Sequence, residues 1–417
     1  MKKKFLVLGS NSFSGSNFIN FILKKNCKVV GVSRSKEYRK IYLPYKNSQN
    51  LNNFKFFKIN INNNLKKLKS VVRDFRPNYV INYIAQGMVA ESWIDPEDWY
   101  NTNVISQVRL YKELSKFKFI KKFVHVSTPE VYGSSRSKIR ESFKFNPSTP
   151  YAISRATTDI HLKKYFENFK LPVIFTRTSN IYGPHQQLYR VIPKALLSSR
   201  LNKKMNLHGG GSSKRSFIYV DDASAATYKI SIRGKVGKTY HISTSKIISI
   251  RSLVKKISIL TKKNFSSLVH ISKDRIGKDD TYNLSSKKIR AELLWQDTIN
   301  IDAGIKKTLK WIDDQGGVVS IENSNKIMSE KLYIEIERNT LFRSPVAVED
   351  RSTMNIPFVF NDDSMDDNDF LQFCDTRGLK TLKGHRSVGG FRASIYNAMP
   401  MEGVDALIKA MQDYEDR

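Results

Sequence analysis

The sequence predicts an α/β fold built on a doubly wound parallel sheet, followed by a separate C-terminal region. Short apolar runs of the kind that form buried strands alternate with helical patterns, which is typical of a parallel sheet. The runs lie at residues 5–8, 29–32, 79–84, 123–126 and 173–176. A glycine-containing turn follows the first run, and the composition of the chain changes near residue 315.

The N-terminal segment has the order of a strand–helix–strand unit. After the run at 5–8 come a turn from Gly9 to Gly15, a helical pattern through Leu23 and the second apolar run. Glycines in such a turn let the pyrophosphate of a dinucleotide approach the amides at a helix N-terminus. We therefore expect a dinucleotide site after the first strand.

Length and composition indicate two or more globular domains. The chain has 417 residues, of which 40% are hydrophobic and 26% charged, and no apolar stretch is long enough to cross a membrane. Its two cysteines, Cys27 and Cys374, lie far apart and lack the spacing of metal ligands. We expect a cytoplasmic protein with no membrane partner, no disulfide framework and no metal site.

Positive charge is concentrated before residue 315. Residues 315–417 contain 12 Lys and Arg against 17 Asp and Glu, a net charge of −5, which leaves 59 against 21 and a net charge of +38 in residues 1–314. A basic surface can bind nucleic acid. Here the lysines are dispersed rather than grouped with aromatic residues on one element, so nucleic acid is less favoured as a partner than an anionic nucleotide substrate.

Polar residues follow three of the predicted strands. Gln86 comes after the third run, Thr128 and Glu130 come after the fourth, and Asn180 comes after the fifth. Ligands of an open parallel sheet bind beyond the carboxyl ends of its strands. These side chains are therefore predicted to lie at one site.

Five motifs occur in the order found in one enzyme family. They are Gly9…Gly15, residues 127–133 (STPEVYG), 151–155 (YAISR), 179–184 (SNIYGP) and 215–222 (RSFIYVDD). With them, residues 3–313 resemble the extended short-chain dehydrogenase/reductase family and, within it, the nucleotide-sugar 4,6-dehydratases. The resemblance implies an NAD(P)-binding Rossmann fold with a small C-terminal lobe for the substrate.

The resemblance also implies a reaction. Tyr151, as a phenolate, would take a proton from a sugar hydroxyl while hydride passes to a nicotinamide, and Thr128 would hydrogen-bond the same oxygen. Because the resulting ketone acidifies the neighbouring C–H, Glu130 could remove that proton and expel the next hydroxyl as water. Hydride would then return to the sugar, with no net turnover of the cofactor.

Binding residues are likewise implied by the resemblance. The cofactor contacts would be Gly9, Ser12, Phe13, Gly15, Ser33, Arg34, Ala85, Tyr151 and Arg155. The contacts with the nucleotide-diphosphate sugar would be Gln86, Asn180, Arg190 and Arg215. Ser33-Arg34 replaces an acidic residue that commonly binds the adenosine ribose. Because a serine and an arginine suit a 2′-phosphate, NADP is favoured over NAD.

Three further positions depart from the family pattern. Ser12 stands at the usual middle glycine of the turn and has a hydroxyl that could bond to the pyrophosphate. Arg155 replaces the usual lysine; it stays cationic and can lower the pKa of Tyr151, but its planar fork is not equivalent to an ammonium group on the ribose. Pro129 stands where the thymidine-sugar dehydratases have an aspartate as general acid. Glu130 would then serve as both base and acid, as in the guanosine-sugar dehydratases.

Other outcomes stay open. If Glu130 plays no chemical part, return of hydride to the opposite face would make the protein an epimerase, and a decarboxylase of the same family is a further alternative. In a different class, the altered Ser12, Pro129 and Arg155 would leave a catalytically silent NADP-binding module. The resemblance implies a homodimer that pairs through helices into a four-helix bundle.

The end of the chain resembles a second family. Residues 338–342, 351–358 and 383–400 are similar to the C-terminal small domain of phosphoserine aminotransferase. The resemblance implies that His385 and Arg386 hold a phosphate or carboxylate and that Arg392 grips an α-carboxylate. The large domain with the Schiff-base lysine has no counterpart in this chain. Pyridoxal phosphate is therefore not expected to bind productively, and the segment is not expected to be an active transaminase by itself.

Together these resemblances divide the chain into three parts. We predict an NAD(P)-binding core at 1–180, an interleaved nucleotide-sugar-binding lobe at 181–313, and a fragment of a fold-type I aminotransferase small domain at 314–417. The segment 309–313 (LKWID) fits either family, and no Pro/Gly/Ser-rich linker separates them. We favour a chimeric or truncated fusion whose C-terminal segment has no catalytic role over a natural bifunctional scaffold.

Overall fold

The computed structural model describes residues 2–273, 280–314, 317–384, 389–395, 399 and 401–417. The chain divides into two units, Met1–Trp311 and Ile312–Arg417.

Strands of the first unit form one large sheet and three small pairs. In chain order they are β1 (Lys4–Leu8), β2 (Lys28–Ser33), β3 (Phe54–Lys58), β4 (Tyr79–Asn82), β5 (Lys122–Ser127), β6 (Val173–Thr178), β7 (Asn180–Tyr182), β8 (Met205–His208), β9 (Lys214–Arg215), β10 (Phe217–Tyr219), β11 (Thr239–Ile242), β12 (Ile248–Ser249) and β13 (Val269–Ser272). The large sheet has the order β11-β6-β5-β4-β1-β2-β3, and its neighbouring strands are all parallel. Each of the five predicted apolar runs contributes a strand to it, so the predicted doubly wound parallel sheet is confirmed.

Helices of the first unit cover both faces of the sheet. They are α1 (Phe13–Lys24), α2 (Leu65–Phe75), α3 (Pro96–Tyr100), α4 (Ser106–Leu114), α5 (Pro150–Phe169), α6 (Val191–Arg200), α7 (Val220–Arg233), α8 (Ile250–Leu260), α9 (Phe265–Leu268), α10 (Lys287–Leu293) and α11 (Ile301–Asp314). Successive side chains of a strand point to opposite faces. In β1, Phe5 and Val7 therefore pack in the core that contains α1 and α7, whereas Leu6 and Leu8 pack in the core that contains α2 and α4.

The winding of the sheet reverses between β1 and β4. The chain runs from β1 outward to β2 and β3, and then crosses to β4, β5 and β6 on the other side. At such a reversal the loops after neighbouring strands diverge and leave a crevice at the carboxyl ends of the strands. The turn after β1 and the loops after β4 and β5 therefore border the expected binding crevice.

The second unit has a hydrophobic core of its own. Its strands are β14 (Phe342–Arg343), β15 (Asn355–Phe360) and β16 (Phe391–Ser394), which pair antiparallel, and its helices are α12 (Gly317–Arg338), α13 (Asp367–Thr376) and α14 (Met401–Glu415). Phe342 contacts the rings of Phe358, Phe370 and Phe391 at centroid distances of 4.8–6.0 Å. This aromatic cluster and the helices around it give the unit the interior that an independent domain needs.

Candidate active site

The turn between β1 and α1 requires glycine at two positions. Gly9 has a φ of +80°, which other residues rarely adopt, and a Cβ there would lie 3.0 Å from the carbonyl carbon of Tyr83. A Cβ on Gly15 would lie 2.3 Å from the carbonyl oxygen of Gly9. The turn therefore lies directly against the start of α1 at Phe13. Because the first amides of a helix have no partner within it, this turn fits a dinucleotide pyrophosphate.

Ser12 is the N-cap residue of α1. Its hydroxyl donates to the carbonyl oxygen of Gly9 at 2.7 Å and accepts from the amide of Gly15 at 3.0 Å. A hydroxyl has one proton, so in this arrangement Ser12 has none to donate to a pyrophosphate. In this arrangement the residue fixes the shape of the turn, and its contact with a pyrophosphate stays a prediction.

The end of β2 is tied to the same turn. The Ser33 hydroxyl accepts from the amide of Asn11 at 2.9 Å and lies 3.2 Å from the Ser10 hydroxyl. The next residue, Arg34, is exposed, and its Nη1 donates to Oε1 of Gln86 at 3.2 Å. The structure thus joins a predicted cofactor residue to a predicted substrate residue.

The predicted catalytic residues meet at the end of β5. Tyr151 lies in the first turn of α5, and Thr128 caps the short 3-10 turn Pro129–Tyr132 that follows β5. Thr128, Glu130 and Arg155 all lie close enough to the Tyr151 phenol to change its ionisation. Tyrosine, hydroxyl, carboxylate and cation therefore share one site.

The charges around Tyr151 act in opposite directions. Burial raises the pKa of the Tyr151 phenol, and the negative charge of Glu130 raises it further. The charge of Arg155, the neighbouring Thr128 side chain and the charge of Arg190 lower the pKa but do not offset the rise. The phenol is therefore protonated at neutral pH. To act as a base, Tyr151 needs a further positive charge beside it.

Arg155 is buried and reaches back toward the sheet. Its Nη1 donates to the carbonyl oxygen of Ile84 at 3.5 Å, and its Nη2 donates to the carbonyl oxygen of Val126. Nη2 also lies 3.4 Å from Nε2 of His125. The guanidinium therefore joins the chain after β4 to the end of β5. Its side chain acts on Tyr151 through charge.

Sequence reasoning missed the residue that positions Gln86. Asn103 lies within a π turn, Asn101–Ile105, and is fully buried. Its Oδ1 accepts from the Gln86 amide at 2.7 Å, while its Nδ2 donates to the Gln86 carbonyl oxygen at 3.0 Å and to the Ser154 hydroxyl at 3.0 Å. One amide side chain thus fixes the loop after β4 against α5. Turns of this π type are frequent at functional sites.

A buried ion pair lies beneath the catalytic residues and was also missed. Asp159 stands two helical turns after Tyr151 on α5, and its Oδ2 accepts from Nη2 of Arg177 at 2.8 Å. The same carboxylate oxygen accepts from the Ser127 hydroxyl at 2.9 Å. The pair therefore connects α5, β5 and β6 under the site.

The predicted diphosphate contacts stand on different elements. Arg190 is exposed just before α6 and is close enough to Tyr151 to lower its pKa. Asn180 begins β7, and its amide donates to the carbonyl oxygen of Ser216. The Arg215 guanidinium stacks on the Tyr282 ring at 4.3 Å.

In the second unit, Arg392 lies on β16 and pairs in register with Pro357 of β15. The other two predicted anion contacts, His385 and Arg386, lie outside the described residues. Among the residues that the structure describes, no group of three or more His, Cys, Asp and Glu could hold a metal ion. In the same part of the chain, no helix has the length and apolar character of a membrane span.

Comparison with known families assigns most of the chain. The family described as GDP-mannose 4,6 dehydratase matches residues 6–308. The chain belongs to this family. A second family, aminotransferase class-V, matches residues 298–407, which overlaps the first match by residues 298–308. The predicted nucleotide-sugar dehydratase fused to an aminotransferase-like region is thereby confirmed.

Individual relatives agree with the family. The chain is 29% identical over 329 residues to a probable dTDP-glucose 4,6-dehydratase of Sinorhizobium fredii, covering 75% of this chain and 93% of that protein. It is 31% identical over 317 residues to the dTDP-D-glucose 4,6-dehydratase of Homo sapiens, covering 74% and 89%. The structure of a dTDP-glucose 4,6-dehydratase from Streptomyces venezuelae, solved with NAD bound, superposes with a TM-score of 0.69 at 25% identity, covering 75% and 97%.

Proposed function

We propose that the first unit converts a nucleoside-diphosphate hexose into its 4-keto-6-deoxy product with loss of one water. The observation that carries this proposal is the placement of Glu130 beside the Tyr151–Thr128 pair. Oxidation at C4 needs one proton acceptor, whereas dehydration needs a second group to move the C5 proton. Tyr151 and Glu130 supply the two.

The proposed reaction moves protons at O4, C5 and O6 of the sugar. Tyr151 takes the proton of O4, and Thr128 hydrogen-bonds the same oxygen. A bound nicotinamide would supply the acceptor of the C4 hydride, a positive charge near Tyr151, and the hydride returned at C6. Glu130 removes the C5 proton and delivers it to O6, so that the C6–O6 bond breaks and water leaves. Glu130, ionised again, then takes a proton from solvent and places it on C5, while Tyr151 releases the O4 proton to solvent, so that the protons balance.

We propose a thymidine-diphosphate hexose as the substrate, on the basis of the names of the relatives. Pro129 is buried at the start of the 3-10 turn and has no proton to transfer, so Glu130 acts alone in the elimination. Residues 181–313 would form the nucleotide-sugar lobe, with Asn180, Arg190 and Arg215 on the diphosphate. A guanosine-diphosphate hexose is the alternative that the test distinguishes.

We propose NADP as the preferred cofactor, held by the turn from Gly9 to Gly15. The support is the exposed Arg34 guanidinium immediately after β2, in the place where an acidic side chain would select NAD. A cationic fork there can pair with a 2′-phosphate. Ser33, by contrast, already uses its hydroxyl within the protein.

A homodimer through α4 and α5 is also proposed. Ile153 and Ile160 of α5 are 38% and 47% exposed, and Ile105, just before α4, is 44% exposed. Apolar side chains grouped on helices that face solvent are typical of an interface. The second unit has no catalytic part in the proposed reaction, and a cytoplasmic location remains a prediction.

The direct test is incubation of the purified chain, with NADP and separately with NAD, against thymidine-, guanosine-, uridine- and cytidine-diphosphate hexoses. Mass spectrometry should show loss of one water from the thymidine sugar. Tyr151→Phe should lower this turnover by about 10²–10⁴-fold, because a positioned proton-transfer group contributes that much. Tyr165→Phe, on the same helix, is the control.

Unchanged mass with altered sugar stereochemistry would instead identify an epimerase. No reaction in any combination, or no effect of Tyr151→Phe, would favour the silent binding module. If only the guanosine sugar loses water, the proposal that the substrate carries thymidine is wrong.

A further inference from the structure

We propose that Tyr132 is a positioning residue that holds Glu130 for the elimination step. This inference rests on the proposed function. Tyr132 and Glu130 stand on the same short turn, Pro129–Tyr132, and the Tyr132 side chain is buried. Tyr151, by contrast, stands on α5, so the two proton-transfer groups depend on different supports.

The Tyr132 hydroxyl is held on several sides. Its oxygen accepts from Nη1 of Arg177 at 3.0 Å and from the amide of Ser142 at 3.3 Å, and it lies 2.8 Å from Nε2 of His241. Because the guanidinium and the amide can only donate, the phenol proton goes to an acceptor, and His241 is nearer than the Ser142 carbonyl oxygen at 3.3 Å. Burial and the charge of Arg177 lower the pKa of His241 to about 3, which leaves its ring neutral and able to accept.

Arg177 extends this contact to the rest of the site. One end of its guanidinium bonds Tyr132, and the other bonds Asp159, which lies on the helix that carries Tyr151. The side chains of Arg177 and Asp159 are fully buried. Hydrogen bonds between buried groups are strengthened by the low dielectric of the interior, which makes these contacts costly to break. The network therefore sets the position of the Glu130 turn relative to Tyr151.

The backbone of the turn is held independently. The amide of Asn146 donates to the carbonyl oxygen of Val131 at 3.0 Å, and a Cβ on Gly133 would lie 2.3 Å from the Asn146 carbonyl oxygen. Thr128 precedes the turn at the end of β5. Loss of the Tyr132 hydroxyl should therefore leave the fold and Thr128 in place and remove only the side-chain contacts that hold the turn carrying Glu130 against Arg177 and His241.

Because the Tyr132 hydroxyl supports the turn that carries Glu130, its loss should slow elimination and not oxidation. In the full chain, Tyr132→Phe should oxidise the substrate at C4 at a near-normal rate. Formation of the dehydrated product should fall about 10- to 100-fold, since small misplacements of a reacting group have effects of this size. Reduced nicotinamide and the 4-keto sugar should consequently accumulate in a single turnover, measured by absorbance and mass spectrometry.

Two further variants show whether Tyr132 acts through Glu130. Glu130→Gln should block the same step, and adding Tyr132→Phe to it should have little further effect, because two changes in one contact chain are not additive. Tyr240→Phe is the matched control: it removes another buried phenol, which bonds Glu292 at 2.9 Å, and should behave like the wild type.

Wild-type product formation by Tyr132→Phe would overturn the inference, and so would an equal loss of both steps. If Tyr132→Phe does not fold, His241→Gln removes one partner of the same hydroxyl and should give a smaller loss confined to elimination. Normal elimination by that variant would also overturn it. Failure of the wild type to dehydrate any substrate would refute the proposed function instead, so the two failures are distinguishable.

Discussion

Two guanidinium groups and one carboxylate are buried together beneath the active site. Burial by itself would raise the pKa of Asp159, but Arg177, His125 and Arg155 outweigh it and hold the pKa at about 2. Removing one member of such a group leaves an uncompensated buried charge. The Arg177–Asp159 ion pair therefore stabilises the fold beneath the site and also holds the geometry of the site.

The depressed pKa of Asp159 predicts a particular loss of stability in acid. The ordinary value is 3.8, so the unfolded chain binds the proton more tightly than the folded one. The stabilisation is present above that value and is lost as the pH falls toward about 2. Urea unfolding followed by tryptophan fluorescence should show a steeper acid decline in the wild type than in Asp159→Asn.

Asp302→Asn, which changes an exposed partner of Lys256, is the control and should keep the wild-type slope. Equal slopes in all three proteins would show that Asp159 does not titrate as the structure indicates.

The residues proposed to carry the chemistry could be predicted from the sequence, whereas the residues that support them could not. Tyr151, Thr128 and Glu130 stand in motifs whose order is recognisable. Asn103 and Arg177 gain their roles from contacts with residues far away in the chain, which no local pattern encodes. The contacts of Ser12, by contrast, are local, because its hydroxyl bonds within the turn that contains it.

At the scale of elements, α5 has two distinct faces. One buries Arg155 and Asp159 against the sheet and the site, while Ile153 and Ile160 on the other side are partly exposed. The helix thus directs Arg155 and Asp159 toward the site and leaves an apolar surface on its other side. In a homodimer the outward face would be buried, which would fix the helix that carries Tyr151.

Ile160→Lys should therefore convert the proposed homodimer into a monomer, since a charge would have to be desolvated in an apolar interface. Sedimentation velocity measures the change directly. Ile259→Lys, on the exposed face of α8, is the matched control and should leave the assembly unchanged. A wild-type protein that sediments as a monomer would contradict the proposed dimer.

The central strands could be predicted because parallel strands buried on both faces are continuous apolar runs. β4 ends at Asn82, two residues before the predicted run does, since the chain turns there toward Gln86. The π turn Asn101–Ile105 and the paired short strands of the second lobe, such as β9 with β12, were not predictable. Their hydrogen bonds depend on tertiary neighbours rather than on periodicity.

At the scale of the whole molecule, the chain joins parts of two enzyme families. The family matches overlap only at residues 298–308, in a chain whose net charge changes from +38 before residue 315 to −5 after it. The second unit has a hydrophobic core of its own, which contains a cluster of aromatic side chains. The fusion could be predicted from the motifs and the composition, whereas the hydrophobic core of the second unit could be seen only in the structure.

We propose that this chain performs internal redox dehydration at the Tyr151–Glu130 site. The most direct test is to incubate it with oxidised cofactor and dTDP-glucose in deuterium oxide and to analyse the product by mass spectrometry and NMR. The product should have lost one water, carry one solvent deuterium at C5 and have received its former C4 hydrogen at C6. Recovery of a sugar of unchanged composition, or a dehydrated product without deuterium at C5, would contradict it.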